Sequence, residues 1–277
     1  MSQHCQGRME QAIRLVLHKT GLYEPVRRLW GKRPDLRLDV DNFGYRVAGA
    51  PDGLPIPPAR LIRLVQISGE IATFLSGGRL GRASIENALH HNGYHIEQFK
   101  RVLDFGCGCG RIMRQWESVS GPRFHGTDLN PELIKWCRAK LGRLADFRTN
   151  KLEPPLDYPD SHFDFIYSIS VFTHLSEHVQ EEWMRELHRV LTANGLLLFT
   201  VHGEWRINDL DAEEQARFNS GELVVKYAEV EGSNLCGCYH PQEYVRKHLA
   251  RDFEVIYYIA TGAIDVGQDL YVLRKTG

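Results

Sequence analysis

Apolar residues recur at two different spacings along this chain, and the change of spacing divides it into two parts. In residues 1–99 the spacing is that of amphipathic helices. It predicts three of them, over MEQAIRLVLHK, ARLIRLVQISGEIATFL and ASIENALHHNG. Gly77 and Gly78 are expected to end the second helix. From Lys100 onward short apolar runs alternate with helical patterns, which is typical of strands buried between helices.

The part from Lys100 onward predicts a doubly wound sheet. Five apolar runs are expected to be parallel strands: RVLDF, RFHGTDL, ADFRTN, FDFIYSI and GLLLFTV. Helices are expected between them over RIMRQWESV, NPELIKWCRAKLG and SEHVQEEWMRELHRVL, and a further helix over PQEYVRKHLARD. The last two strands, FEVIYYIA and DLYVLRK, are joined by a loop too short for a helical crossover, so they are expected to be antiparallel.

Composition narrows the classes of partner. The formal net charge is −1 and the pI is about 6.9, which argues against a nucleic acid or an anionic membrane as the main partner. No apolar run approaches the length of a membrane span, and the opening MSQHCQGRMEQ lacks the apolar core of a signal peptide. We therefore expect a cytoplasmic protein. Six cysteines in a chain of this length do not indicate a disulfide framework.

The stretch VLDFGCGCGR places three glycines directly after the first predicted strand. Glycine at Gly106 and Gly108 would permit positive φ angles and let a ligand approach the backbone. A helix beginning near Arg111 would aim free N–H groups at that ligand. The dinucleotide pattern G-x-G-x-x-G fails, because Arg111 stands where the third glycine belongs. The acid before the glycines, Asp104, would repel a pyrophosphate and suits a ligand that carries an ammonium group.

This pattern resembles the class I S-adenosylmethionine-dependent methyltransferases, whose first motif is an apolar strand followed by acid-x-Gly-x-Gly-x-Gly. The resemblance covers roughly Arg101 to Lys275, and the antiparallel final strand belongs to it. It implies a Rossmann-like, mostly parallel α/β fold over residues 100–277, with residues 1–99 as an N-terminal helical extension or cap. It also implies that S-adenosylmethionine is the cofactor and S-adenosylhomocysteine the product.

The resemblance carries cofactor contacts onto particular positions. Asp128 at the end of HGTD would accept hydrogen bonds from the ribose hydroxyls, and Leu129 would lie against adenine. The segment FRTNKLEPPL places Asn150 where the family usually has an adenine-binding Asp. The complete set of expected cofactor-binding residues is Asp104, Gly106, Cys107, Gly108, Asp128, Leu129, Asn150, Lys151, Leu152, Ser168 and Ser170.

A general base is needed where the methyl acceptor is a hydroxyl or a protonated amine. Histidine serves this role near neutral pH, and two histidines follow the ends of the fourth and fifth predicted strands, His174 and His202. His174 ranks first, because its segment follows the strand that the resemblance places closest to the reacting methyl group.

The segment of about 203–240 between the fifth strand and the last helix is far longer than a usual connection. We expect it to form a lid over the ligand edge of the sheet. Its candidate substrate-binding residues are Trp205, Tyr227, Tyr239 and His240. Methyltransferases that modify sugars and secondary metabolites carry elaborations of this kind, so a small metabolite is the expected acceptor, methylated on oxygen or nitrogen.

Other functions stay open at this point. Cys236 and Cys238 have a spacing that could hold a metalloid for an arsenite-type methyltransferase, although no zinc-site pattern is present and no metal is expected. A protein substrate is a second alternative. A nicotinamide-dependent oxidoreductase would fit the fold but conflicts with Asp104 and Arg111. The sequence gives no indication of the oligomeric state.

Overall fold

The computed structural model describes residues 36–66 and 68–276, so the first expected helix, MEQAIRLVLHK, lies outside the described residues. Nine strands are present in this part of the chain. They are β1 (Arg101–Phe105), β2 (Arg123–Asp128), β3 (Ala145–Thr149), β4 (Phe163–Ser168), β5 (Leu191–Val201), β6 (Val224–Lys226), β7 (Gly237–Tyr239), β8 (Phe253–Ala263) and β9 (Gln268–Lys275).

Seven of these strands form one sheet in the order β3-β2-β1-β4-β5-β9-β8. The strands β1 to β5 pair in parallel, and β9 is antiparallel to both β5 and β8. The Rossmann-like, mostly parallel sheet with an antiparallel C-terminal strand is therefore confirmed. Because β1 lies at the centre and β2 and β4 flank it, the strand order reverses at β1, where ligands bind in folds of this class.

Seven α-helices accompany the sheet in the described part. They are α1 (Leu36–Ala48), α2 (Ala59–Val65), α3 (Ile71–His91), α4 (Pro131–Leu141), α5 (Glu177–Val190), α6 (Ala212–Asn219) and α7 (Gln242–Tyr244). The α4 helix begins as its sequence indicates, since the Asn130 side chain accepts a hydrogen bond from the Glu132 N–H and Pro131 stands in the first turn.

Both faces of the sheet are covered, which explains why its strands are almost wholly apolar. Leu103 of β1 packs in a cluster with Trp183 of α5 on one face. Its neighbour Val102 packs on the other face, in a cluster with Ile85 of α3 and Ile134 of α4. Successive residues of a strand point to opposite faces, so a strand between two helical layers has no polar side.

The helices before β1 differ from the sequence prediction. ARLIRLVQISGEIATFL is divided between α2 and α3, and α3 continues through Gly77 and Gly78 to His91, which merges it with the expected third helix. These glycines do not end the helix. A Cβ at Gly78 would overlap the Arg111 carbonyl, so glycine serves here to let α3 approach the chain that follows the glycine-rich turn.

The helix expected over RIMRQWESV is also wrong, because only a short 3₁₀ helix forms, over Met113–Trp116. The amphipathic pattern assigns Arg114 to a solvent face, but its side chain is buried. Its guanidinium pairs with Asp52 at 2.7 Å and donates to the carbonyls of Leu54 and Pro55. Since no α-helix begins near Arg111, the helix N-terminus expected at the end of the glycine-rich turn does not form.

The C-terminal part holds the remaining elements. The helix expected over PQEYVRKHLARD is a short α7 that continues as a π-helix over Val245–Leu249. The 203–240 segment is an ordered insertion rather than one loop, with α6 and a two-stranded β6-β7 sheet. Within the described residues, no helix has the length and apolar character required to cross a bilayer.

Candidate cofactor and active site

A cavity of about 260 Å³ opens at the carboxyl ends of β1, β2 and β4. Its floor is formed by the ends of these strands and the turns after them, which are residues 104–108, 128–130, 150–152 and 169–171. Its roof is formed by residues 63–65 of α2 and residues 232–235 of the insertion.

The glycine-rich turn of the floor has a backbone that other residues would strain. Gly106 and Gly108 have φ angles of +83° and +56°. A Cβ at Gly106 would overlap Val171 of the floor, and one at Gly108 would lie 2.5 Å from Val65 of the roof. Both glycines therefore keep the cavity open as well as permitting the turn. Gly110 faces Leu141 instead and serves the packing of α4.

Asp128 fixes the turn to the end of β2. One carboxylate oxygen accepts the Gly108 N–H at 2.9 Å, and the other accepts the Asn130 N–H at 2.8 Å. Burial raises the pKa of Asp128 to about 6, although both hydrogen bonds oppose the rise. The carboxylate consequently holds the two halves of the floor together and remains exposed to the cavity.

Asp104 is the most unusual charged group of the floor. Its side chain is buried, and its Oδ2 atom has no hydrogen-bond partner within the described residues. Burial raises its pKa to about 7, and the nearby Asp128 adds to the rise, while Tyr167 and Arg111 oppose it. A buried acceptor without a partner is costly to leave alone. A cationic ligand group in the cavity would relieve that cost.

Most of the residues expected to bind the cofactor lie in the cavity. Ten of the eleven line the cavity, and these are Asp104, Gly106, Cys107, Gly108, Asp128, Leu129, Asn150, Lys151, Leu152 and Ser170. Ser168 does not line it, because the residue is buried inside β4. The amide nitrogen of Asn150 donates to the Lys151 carbonyl at 2.6 Å, which leaves its carbonyl oxygen without a partner in the described structure.

Of the two histidines expected as general bases, His174 is the one that lies in the cavity. It ends the short 3₁₀ helix Phe172–His174, and its Nδ1 atom lies 2.7 Å from the Cys236 carbonyl. Because a carbonyl only accepts, Nδ1 carries the proton and Nε2 is left as a base. Burial lowers the pKa of His174, so the ring is neutral at pH 7.

His202 and the expected substrate residues lie elsewhere. The His202 ring centroid is 6.4 Å from that of His174, but His202 does not line the cavity. Tyr239 packs with Phe218 in a separate small cluster, and His240 is buried with Nε2 bonded to Gln180 at 2.8 Å. Two further aromatics of the insertion, Trp205 and Tyr227, are 73% and 40% exposed and lie outside the cavity as well.

The roof contains residues that sequence reasoning missed. Asn234 donates to the Leu64 carbonyl at 3.0 Å across a sequence separation of 170 residues. Gly232 donates its N–H to the His174 carbonyl, and a Cβ there would crowd Leu152 and Leu129. No local pattern marks these positions. The only available signal was the length of the insertion, which indicated a lid without its contacts.

Comparison with known proteins identifies the core of this fold. Residues 103–199 match a family model described as a methyltransferase domain. These residues contain the glycine-rich turn, Asp128, Asn150 and His174, which form the floor and one side of the cavity. Residues 103–199 therefore form a methyltransferase domain. The predicted family and cofactor are thereby confirmed.

The relatives span several kinds of acceptor. A tocopherol O-methyltransferase of Arabidopsis thaliana is 29% identical over 140 residues, 48% of this chain and 39% of that protein. A sterol 24-C-methyltransferase of Gibberella zeae is 31% identical over 141 residues, 48% of this chain and 35% of that protein. The chain thus spans less than half the length of these two curated relatives.

A solved structure of an S-adenosylmethionine-dependent methyltransferase from Mesorhizobium loti shares the fold. Its TM-score is 0.54 at 16% sequence identity, and the match covers 71% of this chain and all of the other. At this identity the likeness concerns the fold alone.

The cavity fits the cofactor of this domain. The unpartnered Oδ2 of Asp104 suits the ammonium group of S-adenosylmethionine, and Asp128 suits its ribose hydroxyls. The space that Gly106 and Gly108 leave open would be filled by any Cβ. The residues present in the floor therefore agree with the cofactor that the domain family uses.

Proposed function

We propose that this protein transfers a methyl group from S-adenosylmethionine to a nucleophilic oxygen or nitrogen of a small metabolite. The observation that carries the proposal is the position of His174 in the same cavity as Asp104 and Asp128. A base within the cofactor cavity is of use where the acceptor must lose a proton, as a hydroxyl or an ammonium group must.

The cofactor supplies an already activated methyl group, so no covalent nucleophile of the protein is needed. Asp104, Asp128 and Asn150 would hold it by its ammonium, ribose and adenine groups. His174 would accept the proton of the acceptor at Nε2, because Nδ1 is bound to the Cys236 carbonyl. The roof would exclude water, since Leu64, Val65 and Leu235 present apolar atoms to the cavity.

The choice of oxygen or nitrogen rests on this histidine. The curated relatives include enzymes named for O-methylation and for C-methylation, so similarity alone does not select the acceptor atom. A cavity enclosed between a floor and a roof favours a small molecule over a protein. A role of the protein in the cytoplasm agrees with its composition and remains part of the proposal.

The metalloid alternative finds no support in the position of the thiols. Cys236 and Cys238 are buried and do not line the cavity, and the Cys238 thiol donates to the Leu175 carbonyl at 2.8 Å. The hydrogen bond with Cys236 raises the pKa of Cys238, and burial adds to the rise. Among the described residues, no three His, Cys, Asp or Glu side chains are grouped to hold a metal ion.

The first test is calorimetric titration with S-adenosylhomocysteine, with NADH as the comparison ligand. Micromolar affinity for S-adenosylhomocysteine alone is expected. Binding of NADH instead, or of neither ligand, would contradict the proposed function. The protein that binds is then screened with small alcohols, phenols and amines, and production of S-adenosylhomocysteine is measured.

The role of His174 is tested by His174→Ala. We expect turnover of the best acceptor to fall at least ~100-fold, since general-base catalysis contributes about 10²–10⁴-fold. Affinity for S-adenosylhomocysteine should stay within about twofold. The control is His178→Ala, which removes an exposed histidine of α5. Equal turnover in His174→Ala and the control would remove His174 from the mechanism.

A further inference from the structure

A closed set of hydrogen bonds links three strand ends behind the cavity. The Thr200 hydroxyl of β5 donates to the Gln268 side-chain carbonyl at 2.7 Å. The Gln268 amide nitrogen donates to the Ser170 hydroxyl oxygen at 2.9 Å. The Ser170 N–H in turn donates to the Thr200 hydroxyl oxygen at 2.8 Å. Thr200 and Gln268 are fully buried, and only Ser170 reaches the cavity.

The backbone of Ser170 is held in an unusual conformation by this set. Its φ angle is +60°, in the left-handed region that disfavours residues other than glycine. Strain of this kind persists only where the surroundings impose it, and it is frequent at ligand sites. Here the bond that Ser170 donates to Thr200 and the bond that it accepts from Gln268 hold this conformation. The residue held in this way lines the cavity.

The directions of these hydrogen bonds leave the hydroxyl proton of Ser170 unused. The Ser170 oxygen accepts from Gln268, so its own proton is not required by Gln268. The Thr173 hydroxyl oxygen lies 3.5 Å from the Ser170 hydroxyl oxygen, which is beyond the usual 2.5–3.0 Å for two hydroxyl groups. Ser170 therefore has a proton to donate to a ligand in the cavity.

The position of Ser170 indicates which end of the ligand it meets. The next residue, Val171, packs directly on Gly106, and Asp104 lies two residues before Gly106. Ser170 and Asp104 thus stand at the same end of the floor, one as a donor and the other as an acceptor. The methionine end of S-adenosylmethionine carries one anion and one cation, and this pair of groups complements both.

We propose that Ser170 donates its hydroxyl proton to the cofactor carboxylate, and that Gln268 and Thr200 are positioning residues that hold it for this contact. The inference rests on the proposed function for the presence of the cofactor. It assigns a role to β9, the antiparallel strand, which otherwise only extends the sheet.

The test compares two ligands that differ in the carboxylate alone, S-adenosylmethionine and its decarboxylated form. Ser170→Gly removes the hydroxyl, and glycine adopts a φ of +60° without strain. We expect about tenfold weaker binding of S-adenosylmethionine, typical of a lost hydrogen bond to a charged group. Binding of the decarboxylated ligand should change by less than about twofold. Calorimetry at pH 8 measures both.

A matched control and a second variant accompany this test. Ser161→Gly makes the same change at an exposed residue with a φ of +50°, outside the cavity, and should bind both ligands as the wild type does. Gln268→Met keeps the Ser170 hydroxyl but removes its partner, and should weaken only S-adenosylmethionine, by about threefold. Thermal unfolding checks that each variant is folded.

The outcomes separate the two proposals. Equal weakening of both ligands in Ser170→Gly, or weakening of neither, would overturn the carboxylate contact. An unchanged affinity in Gln268→Met would overturn the positioning role of Gln268. A wild-type protein that binds neither ligand would contradict the proposed function itself, and this assignment with it.

Discussion

The floor and the roof of the cavity are built in opposite ways. The floor comes from strand ends and the turns that follow them, and its key groups are held by short-range bonds such as that between Asp128 and the Gly108 N–H. The roof joins α2 to an insertion 170 residues away through one side-chain hydrogen bond, from Asn234 to Leu64. The floor is thus fixed by the sheet, and the roof depends on tertiary contacts.

This difference indicates which part of the site should tolerate substitutions. In the floor, each position combines a backbone requirement with a ligand contact, so a substitution removes both at once. In the roof, a substitution removes a single contact and leaves the fold of the sheet intact. Ligand affinity should therefore respond strongly to changes in the floor and weakly to changes in the roof.

The largest effect is expected for Gly106→Ala. A Cβ there would overlap Val171, and the φ of +83° is strained for alanine. We expect affinity for S-adenosylhomocysteine to fall by at least ~100-fold in calorimetry, because the turn and the cavity are both distorted. Gly49→Ala is the control, since Gly49 has a φ of +80° and no atom within 4 Å of its Cβ position. Equal affinities would show that the glycine-rich turn does not form the floor.

The next largest effect is expected for Asp104→Asn, which should change the thermal stability as well as ligand binding. The pKa of Asp104 is about 7 in the folded chain and near 3.8 when unfolded, so the folded state holds a proton that the unfolded state has lost. Without ligand, stability should therefore rise as the pH falls from above 7 toward 4. Asp104→Asn removes the buried charge, so we expect a higher Tm at pH 8, a smaller gain at pH 5, and at least ~10-fold weaker binding of S-adenosylhomocysteine.

Asp128→Asn is the matched comparison for that variant. Asp128 accepts two backbone N–H groups, so its amide variant loses interactions that Asp104 does not make. No gain of Tm is expected for it at pH 8. A lower Tm of Asp104→Asn at pH 8 would mean that the Asp104 carboxylate is satisfied in the folded protein, contrary to its unpartnered Oδ2.

The smallest effect is expected in the roof. Asn234→Ala removes one neutral hydrogen bond, which contributes about 1 kcal/mol. We expect S-adenosylhomocysteine to dissociate about fivefold faster, measured by stopped-flow fluorescence or surface plasmon resonance. Trp205→Ala, at an exposed residue of the same insertion, should leave the dissociation rate unchanged. A hundredfold effect of Asn234→Ala would remove the distinction between floor and roof.

Much of the fold could be predicted, because local rules and packing agree in the sheet. The strands after Lys100 are apolar on both faces, and the Asn130-Pro131 pair begins α4 as expected. The errors arose where tertiary contacts override the pattern. Gly78 lies within α3, where the lack of a Cβ makes room for the Arg111 carbonyl, and Arg114 is buried because it pairs with Asp52. At these positions a glycine does not end a helix and a charged residue does not face solvent.

The candidate site divides in the same way. Motif residues of the floor line the cavity because a turn after a parallel strand can only face one edge of the sheet. The position of Trp205, Tyr227 and Tyr239 in a long insertion predicts that they form apolar walls of the pocket. The insertion contains its own small sheet, and none of the three lines the cavity. No sequence motif marks Leu64 or Asn234, because their role depends on the hydrogen bond between them, which joins residues far apart in the chain.

The Asn234–Leu64 contact has a consequence for how this chain relates to others. The matched region, 103–199, contains the whole floor and neither half of the roof. A pocket whose two surfaces lie in different parts of the chain can change one surface and retain the other. Similarity over residues 103–199 therefore reports on the floor of the cavity and gives no information on the roof.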